Sequence, residues 1–239
     1  MSKYVVGILL CLALCFVFAD EIIAEWDFTK GEINSVDGKF QFKPRGFTKI
    51  EEGENGKSLK LGLSPKTKPE GIQSVKKYPE LTPKGAFRLE FTFSLGERSS
   101  DNPNMCLWDN KYLMVNNKKG VPEENGGLMI LLYDKHDNNY VPYVCLGNGE
   151  ETFTLWGAMA NIPEGKVCSL AFEYDGKSKY TIEVDGKVNK SLEYKKVLGS
   201  LGDAAYPLVI GDRYNSTFCH LDGTIQTVKL INKTVAEAK

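Results

Sequence analysis

The 239-residue sequence is poor in histidine and shows almost no helical periodicity. His136 and His220 are its two histidines, so a serine or cysteine triad has little to draw on. No long stretch repeats apolar residues at positions i, i+3, i+4 and i+7, which excludes a fold built from long helices. Only Leu192 to Leu201 and the terminal TVAEAK are predicted to coil for a turn or two.

An excess of charge is missing as well. Lys and Arg number 30 against 31 Asp and Glu, which gives a formal net charge of −1 at pH 7. Proteins that bind nucleic acid or an anionic membrane surface carry a basic excess. Neither partner is therefore expected.

Long hydrophobic runs are limited to the start of the chain. Residues 4–19 are apolar throughout, Lys3 precedes them and Asp20 follows. This pattern predicts a secretory signal peptide over residues 1–19, cleaved after Ala19. The alternative is a membrane anchor, but a span needs roughly 20 apolar residues.

Residues 20–239 are then expected to form one domain with a near-neutral charge, 29 basic residues against 31 acidic ones. The tail NKTVAEAK carries neither an ER-retention signal nor a hydrophobic GPI-precursor end. We expect no membrane span, and a location outside the cell or in the lumen of the secretory pathway.

Three N-x-S/T sequences agree with export. They begin at Asn189, Asn215 and Asn232, each without proline in the middle, and this is the acceptor pattern for N-glycans. We expect glycans on these asparagines, at solvent-facing turns or strand edges. Such glycans would also cover exposed sheet edges.

Four cysteines remain once Cys11 and Cys15 leave with the signal peptide: Cys106, Cys145, Cys168 and Cys219. An even number in an oxidising compartment predicts two disulfides, and four cysteines allow three pairings. Our hypothesis pairs Cys106 with Cys145 and Cys168 with Cys219. Zinc binding is the alternative, but no C-x-x-C or paired histidine accompanies them.

Alternating apolar and polar residues predict strands. Residues 87–95, FRLEFTFSL, have the clearest period of two. Residues 167–194 predict an antiparallel meander, because Asp-Gly pairs at 175–176 and 185–186 separate alternating runs and favour hairpin turns. Residues 207–212 and 224–231 add two strands.

About a dozen short strands with Gly, Pro and Asn turns between them predict an all-β fold of two antiparallel sheets packed face to face. A closing strand at 224–231 needs partners that are distant in sequence. Residues 21–28, EIIAEWDF, supply a suitable one. The two ends of the domain are therefore predicted to pair.

Several of these segments resemble laminin-G-like domains of the concanavalin A-like lectin/glucanase superfamily. The similar residues include AEWDF, GKSLKLG, GAFRLEFTFSL, the VDG hairpin, and the late LVIGD and LDGTIQTVKL strands. The resemblance runs from about Ile22 to Val235 and rests on turn glycines and inward apolar positions. It implies a jelly-roll β-sandwich of a kind that commonly binds carbohydrate, matrix or cell-surface glycoproteins.

Two aromatic-rich loops are candidates for such binding, because aromatic rings stack on sugars while amides and carboxylates bond hydroxyls. The ordinary alternative is that these residues fill the core or form hairpin loops. The candidate ligand-binding residues are Trp108, Asp109 and Asn110 in the first loop, and Tyr133, Asp134, Asn138, Tyr140 and Trp156 in the second.

Catalysis is the less favoured function, and no catalytic residue is predicted. Retaining glycosidases of the resembled superfamily need paired carboxylates about 5 Å apart. Glu173 with Asp175, and Glu183 with Asp185, are partial matches that lack a third acid. The adjacent Cys219 and His220 would point to opposite faces of a strand.

The resulting hypothesis is a secreted, N-glycosylated, non-catalytic module that recognises a glycan or glycoprotein. A structural or coat protein that assembles with copies of itself is the alternative. Size-exclusion chromatography separates the two, because a strictly monomeric domain disfavours assembly.

Calcium is a possible cofactor, since resembling domains often hold Ca²⁺ at a rim. Asp134, Asp137 and Asn138 are the candidate ligands, although their spacing matches no EF-hand. If they bind Ca²⁺, removal of the ion with a chelator should lower the melting temperature of the mature protein. Identical melting temperatures, together with no titration heat, would rule the site out.

Overall fold

A computed structural model describes residues 20–63, 68–97, 103–112, 125–215 and 219–233. The predicted signal peptide (1–19) and the TVAEAK tail (234–239) lie outside the described residues. The described chain forms sixteen strands and two short 3₁₀ turns, Phe28–Lys30 and Pro79–Leu81. The strands are β1 (Glu21–Asp27), β2 (Phe42–Pro44), β3 (Lys49–Gly53), β4 (Gly56–Leu61), β5 (Ile72–Ser74), β6 (Phe87–Leu95), β7 (Asn104–Asp109), β8 (Gly126–Asp134), β9 (Asn139–Asn148), β10 (Thr152–Trp156), β11 (Ala160–Asn161), β12 (Val167–Tyr174), β13 (Lys179–Val184), β14 (Lys187–Glu193), β15 (Val209–Ile210) and β16 (Gly223–Asn232).

The strands build two eight-stranded antiparallel sheets. The first sheet has the order β14-β13-β12-β6-β16-β4-β3, with β1 also paired to β16. The second has the order β10-β9-β8-β7-β15-β5-β2, with β11 also paired to β9. The predicted all-β class, an antiparallel two-sheet β-sandwich, is confirmed. Among the described residues, no helix has the length and apolar character that crossing a membrane requires.

The core lies between the two sheets and follows the period of two seen in the sequence. Every second residue of β6, from Phe87 to Leu95, is at most 1% exposed. Across the sandwich, the Trp26 ring of β1 meets Trp108 of β7 edge to face, with centroids 5.9 Å apart. Burial of each such large side chain stabilises the fold by about 1.5–3 kcal/mol.

The last strand, β16, occupies the middle of the first sheet. It pairs with β6 from Gly223 to Asn232 on one side and with β4 and β1 on the other. The predicted pairing of the chain ends is therefore confirmed. A bulge between Ile225 and Thr227 changes the buried face, so Ile225, Val228 and Leu230 all point inward although their spacing is irregular.

The two Asp-Gly pairs form different turns. Asp185 and Gly186 have φ values of +49° and +69°, as the tight turn between β13 and β14 requires. Asp175 begins a longer loop, because its carboxylate accepts the backbone N–H groups of residues 177, 178 and 179. In the region 192–201, where a helical turn was predicted, the described chain contains no helix.

A cluster of buried ionisable groups lies where β4 and β15 approach each other. Asp212 is 0% exposed, lies 3.6 Å from the Arg45 guanidinium, and accepts the backbone N–H of Glu70 at 2.9 Å. His220 Nε2 lies 3.1 Å from Asp222 Oδ1, and both side chains are buried. These contacts anchor the segments after β4 and β15 to each other.

Burial changes the pKa values in this cluster. It raises the pKa of Asp212 to about 6, although Arg45 and two backbone N–H donors oppose the shift. Burial alone would lower the pKa of His220, but the hydrogen bond to Asp222 and the nearby charges of Glu70 and Asp212 outweigh it and raise the pKa. Both groups therefore bind protons more readily in the folded state than in the unfolded chain.

We predict that the free energy of unfolding falls as the pH rises from 5 to 7.5, by about 1–2 kcal/mol. A folded-state pKa above the unfolded value stabilises the protein at low pH, and that stabilisation disappears as the pH rises through the folded pKa. The stabilisation from Asp212 is lost between about pH 4 and 6. The stabilisation from His220 is lost from its ordinary pKa of 6.5 upward. Urea unfolding at several pH values measures the slope. Asp212→Asn should remove the part below pH 6, and a stability that increases with pH over this range would contradict the assignment.

Candidate functional site

The most exposed aromatic side chain of the second sheet is Trp156, at the end of β10. It lies opposite Tyr143 of β9 in the strand ladder. The two rings stack, with centroids 4.5 Å apart and planes 22° apart. Trp156 is 46% exposed while Tyr143 is fully buried. One face of the indole is therefore covered by Tyr143, and the other face is open to solvent.

Tyr133 of β8 completes this aromatic platform, which we define as Tyr133, Tyr143 and Trp156. The Tyr133 ring meets Trp156 edge to face at 6.4 Å, and Lys135 Nζ lies 4.5 Å from the Tyr133 centroid. The Tyr143 hydroxyl donates to Asn104 Oδ1 at 2.5 Å. Burial raises the pKa of Tyr143, so the hydroxyl stays protonated and remains a donor to Asn104.

The structure brings together Tyr133 and Trp156 from the second predicted loop but separates the others. Tyr140 is 2% exposed and belongs to the core, so its predicted contact with a ligand is wrong. Asp134 Oδ1 accepts the backbone N–H of His136 at 2.6 Å. The backbone carbonyl of Asn138 accepts from Ile162 N at 2.8 Å, which orders the turn after Asp134.

The first predicted loop needs a correction at Trp108. Simple alternation along β7 would place Trp108 on the same outer face of the second sheet as Cys106. A bulge in the pairing with β8 lies between these two residues, and it turns Trp108 into the core against Trp26. Trp108 is 0% exposed, so the prediction that it binds ligand is wrong.

Asp109 and Asn110, also predicted to contact ligand, are buried and hold backbone groups instead. Asp109 accepts the N–H groups of Lys111 at 2.8 Å, Tyr112 at 2.6 Å and Tyr214 at 2.7 Å. Burial raises the pKa of Asp109, and these three donors oppose that rise. Asn110 Oδ1 accepts Leu128 N at 2.7 Å. Both side chains shape the rim rather than contact solvent.

A second aromatic cluster, the tyrosine triad, consists of Tyr112, Tyr206 and Tyr214. The Tyr206 and Tyr214 rings stack at 4.5 Å, and Tyr112 meets them edge to face at 5.8 and 6.3 Å. The Arg213 guanidinium lies 5.0 Å from the Tyr112 centroid. Sequence reasoning missed Tyr206 and Tyr214, because they are about 100 residues from Tyr112. The sequence signal that could have found them is the presence of tyrosines next to turn residues in the stretch 203–215.

Two of the four carboxylates weighed for catalysis, Glu173 and Glu183, are engaged with Arg88 on the outer face of the first sheet. Its guanidinium lies 2.6 Å from Glu183, 2.6 Å from Glu90 and 3.4 Å from Glu173. The hydrogen bond from Arg88 lowers the pKa of Glu183. The general acid of a glycosidase requires a raised pKa, so this arrangement does not match that chemistry.

Metal ligands are not concentrated at any point of the described ranges. Within them, no group of three or more His, Cys, Asp or Glu side chains could hold a metal ion. Asp134 and Asp137 therefore lack a third ligand of these types nearby. Calcium binding by Asp134, Asp137 and Asn138 stays a prediction.

All four cysteines, Cys106, Cys145, Cys168 and Cys219, are buried and no disulfide joins any two of them, which contradicts the predicted disulfides. Cys106 on β7 and Cys145 on β9 share a face, but β8 lies between them. Two strand spacings, about 9.6 Å, exceed the reach of a disulfide. Cys168 belongs to the first sheet, whereas the Cys219 carbonyl accepts from Cys106 N in the second sheet at 2.8 Å. The sheets are about 10 Å apart.

Comparisons with known proteins place the fold but not a family. No protein-family model matches the chain, and no curated protein matches its sequence. Solved structures match its fold. Domain 4 of AbnA, an extracellular GH43 arabinanase from Geobacillus stearothermophilus in complex with arabinotriose, gives a TM-score of 0.61 at 14% identity. The match covers 91% of this chain and 95% of that domain.

Botulinum neurotoxin structures are similar to the same extent. The binding domain of botulinum neurotoxin DC, in complex with rat synaptotagmin II, gives a TM-score of 0.61 at 13% identity, with 90% of this chain and 49% of that one covered. A structure concerned with the ganglioside-dependent cell entry of neurotoxin type C gives a TM-score of 0.59 at 13% identity. The match covers 90% of this chain and 49% of that one. This chain thus spans about half the length of those domains. The similarities show a β-sandwich fold.

We predict that none of the four thiols of the chain from residue 20 onward reacts quickly with a thiol reagent in the folded protein. Burial raises the pKa of Cys106, that of Cys145 to about 11 and that of Cys168 to about 12, so little thiolate is present. After unfolding without a reductant, four thiols should react. A count of two or none would show that disulfides form after all.

Proposed function

We propose that this protein is a secreted, N-glycosylated, non-catalytic module that binds carbohydrate, with its ligand stacked on Trp156. The observation that carries the proposal is the geometry of the aromatic platform. The indole is fixed by a stacked, buried tyrosine while its opposite face is open. A rigid aromatic surface loses little conformational entropy when a ligand covers it.

Sugar chemistry suits such a surface. One face of a pyranose or furanose ring presents C–H groups, and the negative face of an aromatic ring attracts their partial positive charge. Groups around the platform supply hydrogen bonds to hydroxyls, among them Thr154 on β10 and the Lys135 ammonium. The near-neutral net charge fits a neutral ligand better than a highly charged one.

The fold neighbours support the same class of function. The arabinanase domain was solved with arabinotriose, and the entry of neurotoxin type C into cells depends on gangliosides. Both ligands present sugar rings. A glycoprotein ligand remains within this proposal, because its glycans offer the same surface.

Export and glycosylation belong to the proposal as well. Asn215 and Asn232 are exposed, as an acceptor asparagine must be. Asn189 is half-buried on the edge strand β14, and its amide bonds the backbone of Ala158 through both Oδ1, at 2.7 Å, and Nδ2, at 3.1 Å. Glycans at Asn215 and Asn232 therefore meet less steric restriction than one at Asn189.

Replacing Trp156 tests the proposed function. In a glycan-array screen that includes arabinotriose, followed by calorimetry on the best binder, Trp156→Ala should weaken binding at least about tenfold, because the stacking surface is lost. The melting temperature should change little, since half of the side chain is exposed.

Phe47→Ala is the matched control, because Phe47 is an exposed aromatic residue, at 59%, outside the platform. Its binding should equal that of the unmodified protein. Equal affinity of the Trp156→Ala protein would exclude the platform as the site, and a complete lack of glycan binding would overturn the proposed function.

A further inference from the structure

The tyrosine triad borders a small cavity that is separate from the aromatic platform. The cavity has a volume of about 180 Å³. Apolar, aromatic and charged side chains all contribute to its lining, among them Leu81, Leu208, Tyr78, Tyr206, Lys77 and Asp203. Tyr206 belongs to both features, because one side of its ring stacks on Tyr214 and another part lines the cavity.

The triad is held in place by a buried carboxylate. Asp109 is 0% exposed and accepts N–H groups from both segments that carry the triad, at Tyr112 and at Tyr214. The Arg213 side chain adds a hydrogen bond from Nε to the Tyr112 carbonyl at 3.0 Å. The rings are therefore pre-organised, and ordering them costs a ligand little free energy.

The backbone of Tyr112 is strained. Its φ is +66°, a left-handed conformation that is a clear outlier for a bulky residue. Such strained conformations are concentrated at functional sites. Here the Asp109 hydrogen bonds maintain a conformation that brings the Tyr112 ring to Tyr206.

The polar groups of the cavity suit a hydroxylated ligand. Asp203 Oδ1 accepts from Lys84 Nζ at 2.6 Å, and a carboxylate retains further lone pairs for ligand hydroxyls. Lys77 is exposed at the cavity wall and offers N–H donors. The opposite charges of Lys77 and Asp203 favour a neutral ligand.

The cavity is also small. Sites that enclose drug-sized ligands measure roughly 300–1,000 Å³, so about 180 Å³ accommodates one sugar ring rather than an oligosaccharide. The platform cannot be the same site. Trp156 is on β10 and Asp109 on β7, three strand spacings or roughly 14 Å apart.

We propose that the cavity beside Tyr206 is a second carbohydrate site, which takes a single neutral sugar ring at the end of a glycan. The inference rests on the proposed function, since it assigns a further subsite to the same module. The platform contacts the face of a sugar ring on an open surface, whereas the cavity encloses one ring against Tyr206 and Tyr78.

The test uses the methyl glycosides of arabinose, glucose, galactose, mannose and N-acetylglucosamine as probes, at up to about 100 mM, which detects dissociation constants in the millimolar range. Binding is followed through the ring resonances of ¹³C-tyrosine-labelled protein. At least one glycoside should shift the Tyr206 and Tyr214 signals saturably. Trp156→Ala should leave that affinity within about twofold.

Two variants that alter the cavity in opposite ways distinguish a loss of the site from a loss of folding. Tyr206→Ala removes the shared wall, and Ala204→Leu fills the cavity while retaining the triad, since Ala204 lines the cavity. Both should weaken glycoside binding at least about tenfold. Tyr194→Ala is the matched control, because Tyr194 contacts Tyr180 in a separate aromatic group.

The outcomes separate the two proposals. Glycoside binding that survives Ala204→Leu, or no tyrosine shift with any probe, overturns the cavity site. Oligosaccharide binding that depends on Trp156 would in that case leave the proposed function standing. If glycoside binding is lost in Trp156→Ala and kept in Ala204→Leu, the sugar ring binds at the platform and the cavity site is wrong.

Discussion

The pairing of β16 with three other strands is the constraint on which the sandwich depends. β16 hydrogen-bonds to β6 along its whole length and to β4 and β1 on its other side. The partners β6 and β16 are more than 120 residues apart in sequence, so their pairing must overcome a large loop-closure entropy. Topologies dominated by such non-local contacts fold slowly. The first sheet is therefore complete only when β16, the last described strand, has paired with its partners.

On the second sheet, the bulge in β7 decides which aromatic residues can meet a ligand. It turns Trp108 inward to Trp26 and places the Asp109 carboxylate at the strand end, within reach of three backbone N–H groups. The outer face retains Tyr143 and Trp156, and the rim receives the tyrosine triad. The one extra residue of this bulge thus decides that Trp108 lies in the core, while the aromatic platform and the tyrosine triad lie outside it. Bulges commonly re-aim side chains beside functional sites.

The sequence predicts those parts of the structure that depend on local patterns. The alternation of residues 87–95 predicts β6 with the observed ends, and the Asp185-Gly186 pair predicts the turn between β13 and β14. Trp156 and Tyr133 were also predicted as site residues, and they are adjacent in the structure. In each of these cases the side-chain direction follows from strand periodicity or from turn chemistry.

What sequence reasoning missed depends on register and on distant contacts. A bulge cannot be read from alternation, so the turn of Trp108 into the core could not be predicted. The disulfide hypothesis failed because the number of cysteines does not give their positions in the fold: Cys168 is in the first sheet, whereas Cys219 hydrogen-bonds to Cys106 of the second. Tyr206 and Tyr214 join Tyr112 only through the Asp109 hydrogen bonds, which no local motif indicates.

The distribution of the three tryptophans gives the protein a built-in optical probe. All three are within the described residues; Trp26 and Trp108 contact each other in the buried core, and Trp156 alone faces water. The solvent-sensitive part of the emission spectrum therefore comes from Trp156. A soluble quencher acts selectively on this one indole, and any molecule that covers its open face shields it, so occupancy of the platform can be followed without a label.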